Sequence, residues 1–207
     1  MPLKWPASVV FSVPTAGNLI YCSGLILARC GSKGIRLKNL VTIENESLLR
    51  RTLVTLKKCG KFASIWVATD CNTIAHEALL SGARVFRRSS LSATDTAPSI
   101  MAVEEFLMQR PEVNIVALFQ CTSPFLALPF IHRAFELLSQ GYDSVFSANR
   151  VYKLRWHLTS GGVAQAGNFD PARRPRRQDW SGELVENGMF YFVARHLVEE
   201  GLLQGGR

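Results

Sequence analysis

The 207-residue chain contains no Cys-x-x-Cys pair, although it has five cysteines: Cys22, Cys30, Cys59, Cys71 and Cys121. That absence excludes zinc ribbons and thioredoxin-like redox sites. Thiols scattered this way, and odd in number, fit a reducing compartment. Neither of the two best-known phosphate loops is present: there is no G-x-G-x-x-G, and no lysine has Walker A glycine spacing. Charged residues make up only 19% and hydrophobic residues 47%, which excludes a disordered chain and leaves ample material for a core. No apolar run is long enough to span a membrane. Residues 1–24 are mildly apolar with one cation, Lys4, but Pro6, Pro14 and Gly17 interrupt them. Residues 9–13 look like a very short signal-peptide core, and Ser23-Gly24 offers small residues for cleavage. Residues 1–24 are therefore expected to be a leader, either poorly ordered or a weak signal.

Cations exceed anions, giving a net charge of +8, and this points to an anionic partner such as a nucleotide, a nucleic acid or an acidic sugar. The length suits one domain, residues 25–207. The most informative stretch is residues 25–39. It opens as an apolar strand, Leu25-Ile26-Leu27-Ala28, then breaks into a loop with Gly31, Gly34 and the cations Arg29, Lys33 and Lys38. Glycine permits positive φ and lets N–H groups crowd an anion, while cations in the same loop suit a triphosphate. An ordinary β-to-α turn with solvated lysines would also contain such residues.

The remaining pattern alternates strand and helix. Helical spacing predicts helices over 47–59, 73–80, 99–109, 129–140 and 195–200. Compact apolar runs predict strands over 64–69, 83–86, 114–119, 143–148 and 189–193. This order implies an α/β fold with a mostly parallel sheet and helices on both faces. Residues 151–167 break the pattern and predict a hairpin or small subdomain, an excursion within about residues 150–180. Ser99 or Thr96 is expected to cap its helix, and Asn187-Gly188 to make a tight turn. Polar Gln120, at the carboxyl end of a central strand, offers the donors and acceptors that base recognition needs. Cys121 beside it reads as a small filler. The run Arg173-Arg174-Pro175-Arg176-Arg177-Gln178-Asp179 is, on its own, as compatible with nuclear import or nucleic-acid binding as with catalysis. The scarcity of aromatics around it weighs against single-strand binding.

The string around Arg29 resembles the first signature of the CMP-sialic acid synthetases, close to L-A-R-G-G-S-K-G-I-P-x-K-N. Ala28, Arg29, Gly31, Ser32, Lys33, Gly34, Ile35, Lys38 and Asn39 match; Cys30 replaces a Gly and Arg36 a Pro. Cys30 is expected to strain the loop if that Gly is needed for its backbone angle, and loss of the Pro to loosen the approach to Lys38. The resemblance extends to R-R-S-S around Arg88, Q-x-T-S-P from Gln120, R-P-R-R-Q-D around Arg176 and E-N-G at Asn187.

The resemblance implies a Rossmann-like nucleotidyltransferase fold and a reaction of CTP with N-acylneuraminate. It assigns Arg29, Ser32, Lys33, Asn39, Arg88, Ser99 and Gln120 to the nucleotide. It gives catalytic roles to Arg176, Arg177 and Lys38, and sugar contacts to Gln178 and Asn187. It further implies a homodimer or homotetramer built through the excursion, and, for animal members, a nuclear address in the basic run; a secretory route is the alternative. Neither nucleic acid nor a membrane span is implied. Mg²⁺ is the implied cofactor, but the family's two metal-binding aspartates lie on an acidic strand past the residues matched here, as in a C-terminally shortened member. Asp70, Asp95 and Asp179 are the available loop carboxylates, and nothing in the sequence singles one out. Two alternatives stay open: a catalytically inactive nucleotide-binding homologue or partner subunit, and a cytidylyltransferase for another acidic sugar of the ketodeoxyoctonate type.

Overall fold

The computed structural model describes residues 7–11, as backbone, and residues 21–205. Much of the expected leader, residues 1–6 and 12–20, lies outside the described residues. Ala7–Phe11 forms strand β1. The next strand, β2 (Cys22–Leu27), starts three residues before the apolar run that the sequence singles out. Ser23 can sit in this buried strand because its hydroxyl is 2.7 Å from that of Ser64 on the neighbouring strand.

A 3-10 turn, Lys38–Leu40, and a small hairpin of β3 (Thr42–Ile43) and β4 (Glu46–Ser47) follow. Sequence periodicity missed this hairpin, because its turn uses Glu44 and Asn45 at positive φ, 52° and 64°, rather than glycine. Helix α1 (Leu48–Cys59) buries Leu49, Leu53 and Leu56; the Ser47 hydroxyl accepts from the Arg50 N–H at 3.1 Å, and Gly60 ends the helix in the left-handed conformation. Then come β5 (Ser64–Thr69), α2 (Asn72–Leu80), β6 (Arg84–Arg87), α3 (Ser99–Met108), β7 (Ile115–Phe119), α4 (Leu128–Ser139) and β8 (Ser144–Val151). The short strands β9 (Trp156–Leu158) and β10 (Ala164–Ala166), the long strand β11 (Glu183–Ala194) and helix α5 (Arg195–Glu199) complete the order.

The central sheet has the order β1-β8-β11-β7-β2-β5-β6. Strands β7, β2, β5 and β6 run parallel, and β11 pairs antiparallel with β7. Side chains alternate between two cores. Ile26, Val67 and Phe119 pack with α1, α2 and α4, whereas Leu25, Trp66 and Leu118 pack with α3 and α5. Burial on both faces is why these strands read as continuous apolar runs.

Two local expectations are corrected. Helix α3 is capped by Pro98, with no side-chain bond, so neither Ser99 nor Thr96 acts as a cap; Ser99 is the first helical residue. Asn187-Gly188 makes no turn before a strand. Both residues lie inside β11, with Gly188 at φ 71°.

The chain divides into two compact units, a larger one with residues 9–147 and 188–207 and a smaller one that takes in residues 148–187. In the smaller unit β9 and β10 form an antiparallel hairpin, and Arg155 forks onto Glu183 at 2.6 and 2.8 Å. In the larger unit Arg195 holds the C-terminal end of α3. Its guanidinium donates to the carbonyls of Val113 at 2.9 Å, Arg110 at 2.6 Å and Leu107 at 3.3 Å. A charged donor at a helix C-terminus satisfies orphan carbonyls that burial would otherwise penalise. Replacing it by Met (Arg195→Met) should therefore cost about 2 kcal/mol. Calorimetry should show this as a fall in Tm of roughly 4–8 °C; a Tm within about 1 °C of the parent's would contradict that role.

Candidate functional site

Four parallel strands deliver their carboxyl ends to one edge of the sheet. Register aligns Leu27 with Ala68, Ile26 with Phe119, and Thr69 with Arg87. The residues that follow, Ala28-Arg29, Asp70-Cys71, Arg88 and Gln120, therefore leave together. A cavity of about 640 Å³ opens at this edge. Its lining includes Arg29, Ser32, Lys33, Lys38, Asn39, Arg88, Ser99 and Gln120. Every residue that the sequence assigned to the nucleotide is thus present, together with Lys38. Four cations face the cavity against one carboxylate, Asp95. In a cleft this concentrates an anion more than the same charges would on a flat surface.

Asp95 is the residue that sequence reasoning undervalued. Its carboxylate bridges Arg29 and Lys33, the latter at 2.5 Å. These partners, Lys33 first and then Arg29, hold its carboxyl below the usual carboxylate range. Asp95 thus holds both loop cations at once. The Thr94-Asp95-Thr96 loop carries no spacing that would announce this.

Arg88 is half-buried and fixed from behind. It donates to the hydroxyl of Ser92 at 3.4 Å and to the Ser92 carbonyl. Glu105 on α3 in turn accepts from the hydroxyls of Ser92, at 2.7 Å, and Ser89. Burial alone would raise the Glu105 carboxyl, but these hydrogen bonds and the nearby Arg88 outweigh it and lower it. Burial likewise lowers the Arg88 guanidinium, which stays charged nonetheless. From the sequence, Glu105 is one more charge on an amphipathic helix, and nothing marks it as a support.

Asn39 is buried, and its Oδ1 accepts the Cys121 thiol at 3.2 Å. Burial pushes that thiol up to about 12, which fits the filler role expected for Cys121 and excludes a nucleophile. Gln120 donates its N–H to the Met189 carbonyl at 3.2 Å, and its side chain lies over Gly188. A Cβ at Gly188 would sit 3.3 Å from Gln120 Oε1, so glycine serves here both for its positive φ and for space.

The loop bears on its glycines, on Cys30 and on the turn into Lys38. Gly31 and Gly34 are not at positive φ, and a Cβ on either would meet nothing within 4 Å. Cys30 is not at positive φ either, so it does not strain the loop as expected of a residue in place of a required Gly. The turn into Lys38 is made by Leu37 at φ 51°, so the strain falls one residue past Arg36.

Arg176, Arg177, Gln178 and Asn187 belong to the smaller unit. Arg176 closes a turn onto Asp179, with Nε and Nη2 both at 3.0 Å from its carboxylate. That pairing lowers the Asp179 carboxyl and raises the guanidinium. Arg177 lies 4.7 Å from the Tyr152 ring centroid. Gln178 is exposed, and Asn187 donates to Asn149 Oδ1 at 3.2 Å.

The three loop carboxylates considered for Mg²⁺ are each engaged: Asp95 as described, Asp179 by Arg176, and Asp70 by the Cys30 N–H at 2.9 Å. Among the described residues no group of three or more His, Cys, Asp and Glu side chains is placed to hold a metal ion. These residues alone do not fit a Mg²⁺ site. No helix among them is long and apolar enough to cross a membrane.

Residues 23–204 match the family model of the cytidylyltransferases. N-acylneuraminate cytidylyltransferase A of Danio rerio is 45% identical over 191 residues, covering 90% of this chain and 44% of that protein. The N-acylneuraminate cytidylyltransferase of Oncorhynchus mykiss is 41% identical over 199 residues, covering 94% and 46%. The chain thus spans a little under half the length of these curated relatives. Among solved structures, a CMP:2-keto-3-deoxy-manno-octonic acid synthetase complexed with CTP superposes with a TM-score of 0.66 at 15% identity, covering 87% of this chain and 76% of that one. At that identity the likeness is one of fold.

Removing the competing carboxylate should release both cations for an anion. Two exposed ion pairs are worth roughly 0.2–1 kcal/mol each. Asp95→Asn should therefore bind inorganic tripolyphosphate about threefold more tightly in calorimetry. Weaker binding would mean that Asp95 organises the site instead of competing for it.

Proposed function

The chain belongs to the cytidylyltransferase family, and on that premise we propose that it joins CTP to an N-acylneuraminate, giving CMP-N-acylneuraminate and pyrophosphate. The observation that carries this reading is the convergence of Arg29, Lys33, Lys38, Arg88 and Gln120 on one cavity. The named relatives support N-acylneuraminate as the sugar, and the Arg-Arg-Pro-Arg-Arg-Gln-Asp run favours it over ketodeoxyoctonate.

In this reading the anomeric hydroxyl attacks the α-phosphorus and pyrophosphate leaves in line. The protein's contribution is positioning and charge stabilisation. Arg29, Ser32 and Lys33 receive the triphosphate once Asp95 swings away. Lys38 meets the charge that builds on the departing oxygens. Gln120 reads the edge of the cytosine, Asn39 and Ser99 border the nucleoside, and Arg88 is held rigid by Ser92 and Glu105 for a phosphate or ribose oxygen. Arg176 and Arg177 stabilise developing charge or the sugar carboxylate, and Gln178 and Asn187 contact the sugar; these four assignments rest on the motif. Mg²⁺ stays in the proposal as a cation carried by the triphosphate's own oxygens, with no protein ligand named for it.

The proposal also includes a homodimer or homotetramer, which light scattering tests. It further includes nuclear import through the exposed residues Arg173, Arg174, Arg176 and Arg177. A tagged chain with these four changed to Ala should leave the nucleus. Secretory localisation that depends on residues 1–24 would replace that reading.

The direct assay is pyrophosphate release from CTP with Mg²⁺. Release should require N-acetylneuraminate and should not occur with ketodeoxyoctonate. Arg29→Ala and Arg176→Ala should each lower kcat/KM by roughly 100-fold or more, the scale seen when one charge-stabilising donor is removed. Full activity in both variants would remove their assigned roles.

A further inference from the structure

Cys30 is exposed on the anion-binding loop, between Arg29 and Gly31, in the position where the family signature has glycine. Its Sγ lies 2.9 Å from Sγ of Cys71. Cys71 is buried and is the N-cap residue of α2, a nine-residue helix. The loop is drawn to this spot by its backbone as well. Ala28 N–H donates to the Ala68 carbonyl at 3.0 Å, and Cys30 N–H donates to Asp70 Oδ1 at 2.9 Å. Two sulfurs 41 residues apart are thus brought face to face by the pairing of β2 with β5. Cys22, Cys59 and Cys121 are buried, each with a raised thiol.

We propose that Cys30 and Cys71 form a reversible disulfide, and that its formation weakens nucleotide binding at the adjoining loop. The second half of this inference rests on the CTP-binding reading above; the first half does not.

The chemistry divides unequally between the two thiols. Burial alone would raise the Cys71 thiol, but the Cys30 S–H, the N–H groups of Ile74 and Thr73, and the Thr73 hydroxyl outweigh it and lower it. Cys30 is raised in turn, chiefly by its bond to Cys71. Cys71 is therefore the more acidic of the two thiols and the one that meets the oxidant as thiolate, and Cys30 is the partner that resolves it. With hydrogen peroxide as the two-electron oxidant, the Cys71 thiolate attacks one peroxide oxygen. The O–O bond breaks, hydroxide leaves and Cys71 becomes a sulfenic acid. Cys30 sulfur then attacks Cys71 sulfur, the S–O bond breaks, and the departing hydroxide takes the Cys30 proton to leave as water. Each sulfur gives up one electron, and the two reduce the peroxide. A dithiol reductant reverses the bond by exchange.

A disulfide needs its sulfurs at about 2.05 Å. Closure therefore draws Cys30 toward α2. Cys30 does not line the cavity, whereas its neighbour Arg29 does, so this movement pulls Arg29 back from the anion.

The test uses the full 207-residue chain. After peroxide treatment, tryptic digestion without reductant should give one species joining residues 30–33 to residues 62–84, and dithiothreitol should abolish it. Cys30→Ser and Cys71→Ser should not form it. Calorimetry with CTP should show about tenfold weaker binding by the oxidised chain, and no change on oxidation of Cys30→Ser. Oxidation of Cys30 or Cys71 to a sulfinic acid with no linked species would overturn the disulfide. A linked species with unaltered CTP affinity would overturn its effect on the site. A reduced chain that binds no CTP would instead overturn the nucleotide reading, while the linked peptide would still decide the disulfide.

Discussion

Strand β2 lies between β5 and β7 and runs parallel to both. That pairing is what the rest of the molecule depends on. Parallel strands end together, so the backbone leaves the sheet at one edge after each of them. Arg29 follows β2, Asp70 and Cys71 follow β5, Arg88 follows β6, and Gln120 follows β7. Apart from the neighbours Asp70 and Cys71, these residues are far apart in sequence, and they leave the sheet at one edge because each strand is in register with the next. The two cores hold that register from both faces. A slip of one residue would turn Leu25 and Ile26 to the opposite sides and dismantle both at once.

A cluster of cations so assembled has to be held without an anion present. Asp95 answers this for Arg29 and Lys33, and Glu105, through Ser92 and Ser89, answers it for the Arg88 loop. The two acids differ in kind. Asp95 is bound directly to Arg29 and Lys33, the cations that the proposed function gives to the triphosphate. Glu105 acts through hydroxyls on the loop that holds Arg88, so it supports that loop. The same arrangement underlies the thiol pair, because Cys30 is tied to the β5 edge through Asp70 and Cys71 while Arg29 beside it is paired with Asp95.

Much of this could be read from the sequence. The strands over 64–69 and 114–119 and the helix over 47–59 were legible because two-sided burial and helical spacing leave strong signals. The loop cations and Gln120 were legible because short motifs carry them. The illegible parts have physical causes. The β3–β4 hairpin hid because Glu44 and Asn45 take glycine's usual conformations. Strand β11 ran six residues earlier than its apolar stretch, through an Asn-Gly pair that elsewhere makes a turn. The partners of Asp95 and the role of Glu105 escaped notice because an acid's partner depends on tertiary contacts that no spacing encodes. Gly31 and Gly34 show no positive φ, and a Cβ on either would meet open space, so neither was legible as a conformational requirement of this loop.

The most direct test of this account is a crystal structure of the chain with CTP. The account predicts the triphosphate between Arg29 and Lys33, Asp95 displaced from both, and the cytosine edge at Gln120. CTP bound with the Asp95 bridge still closed, or bound away from the carboxyl ends of β2 and β7, would contradict it.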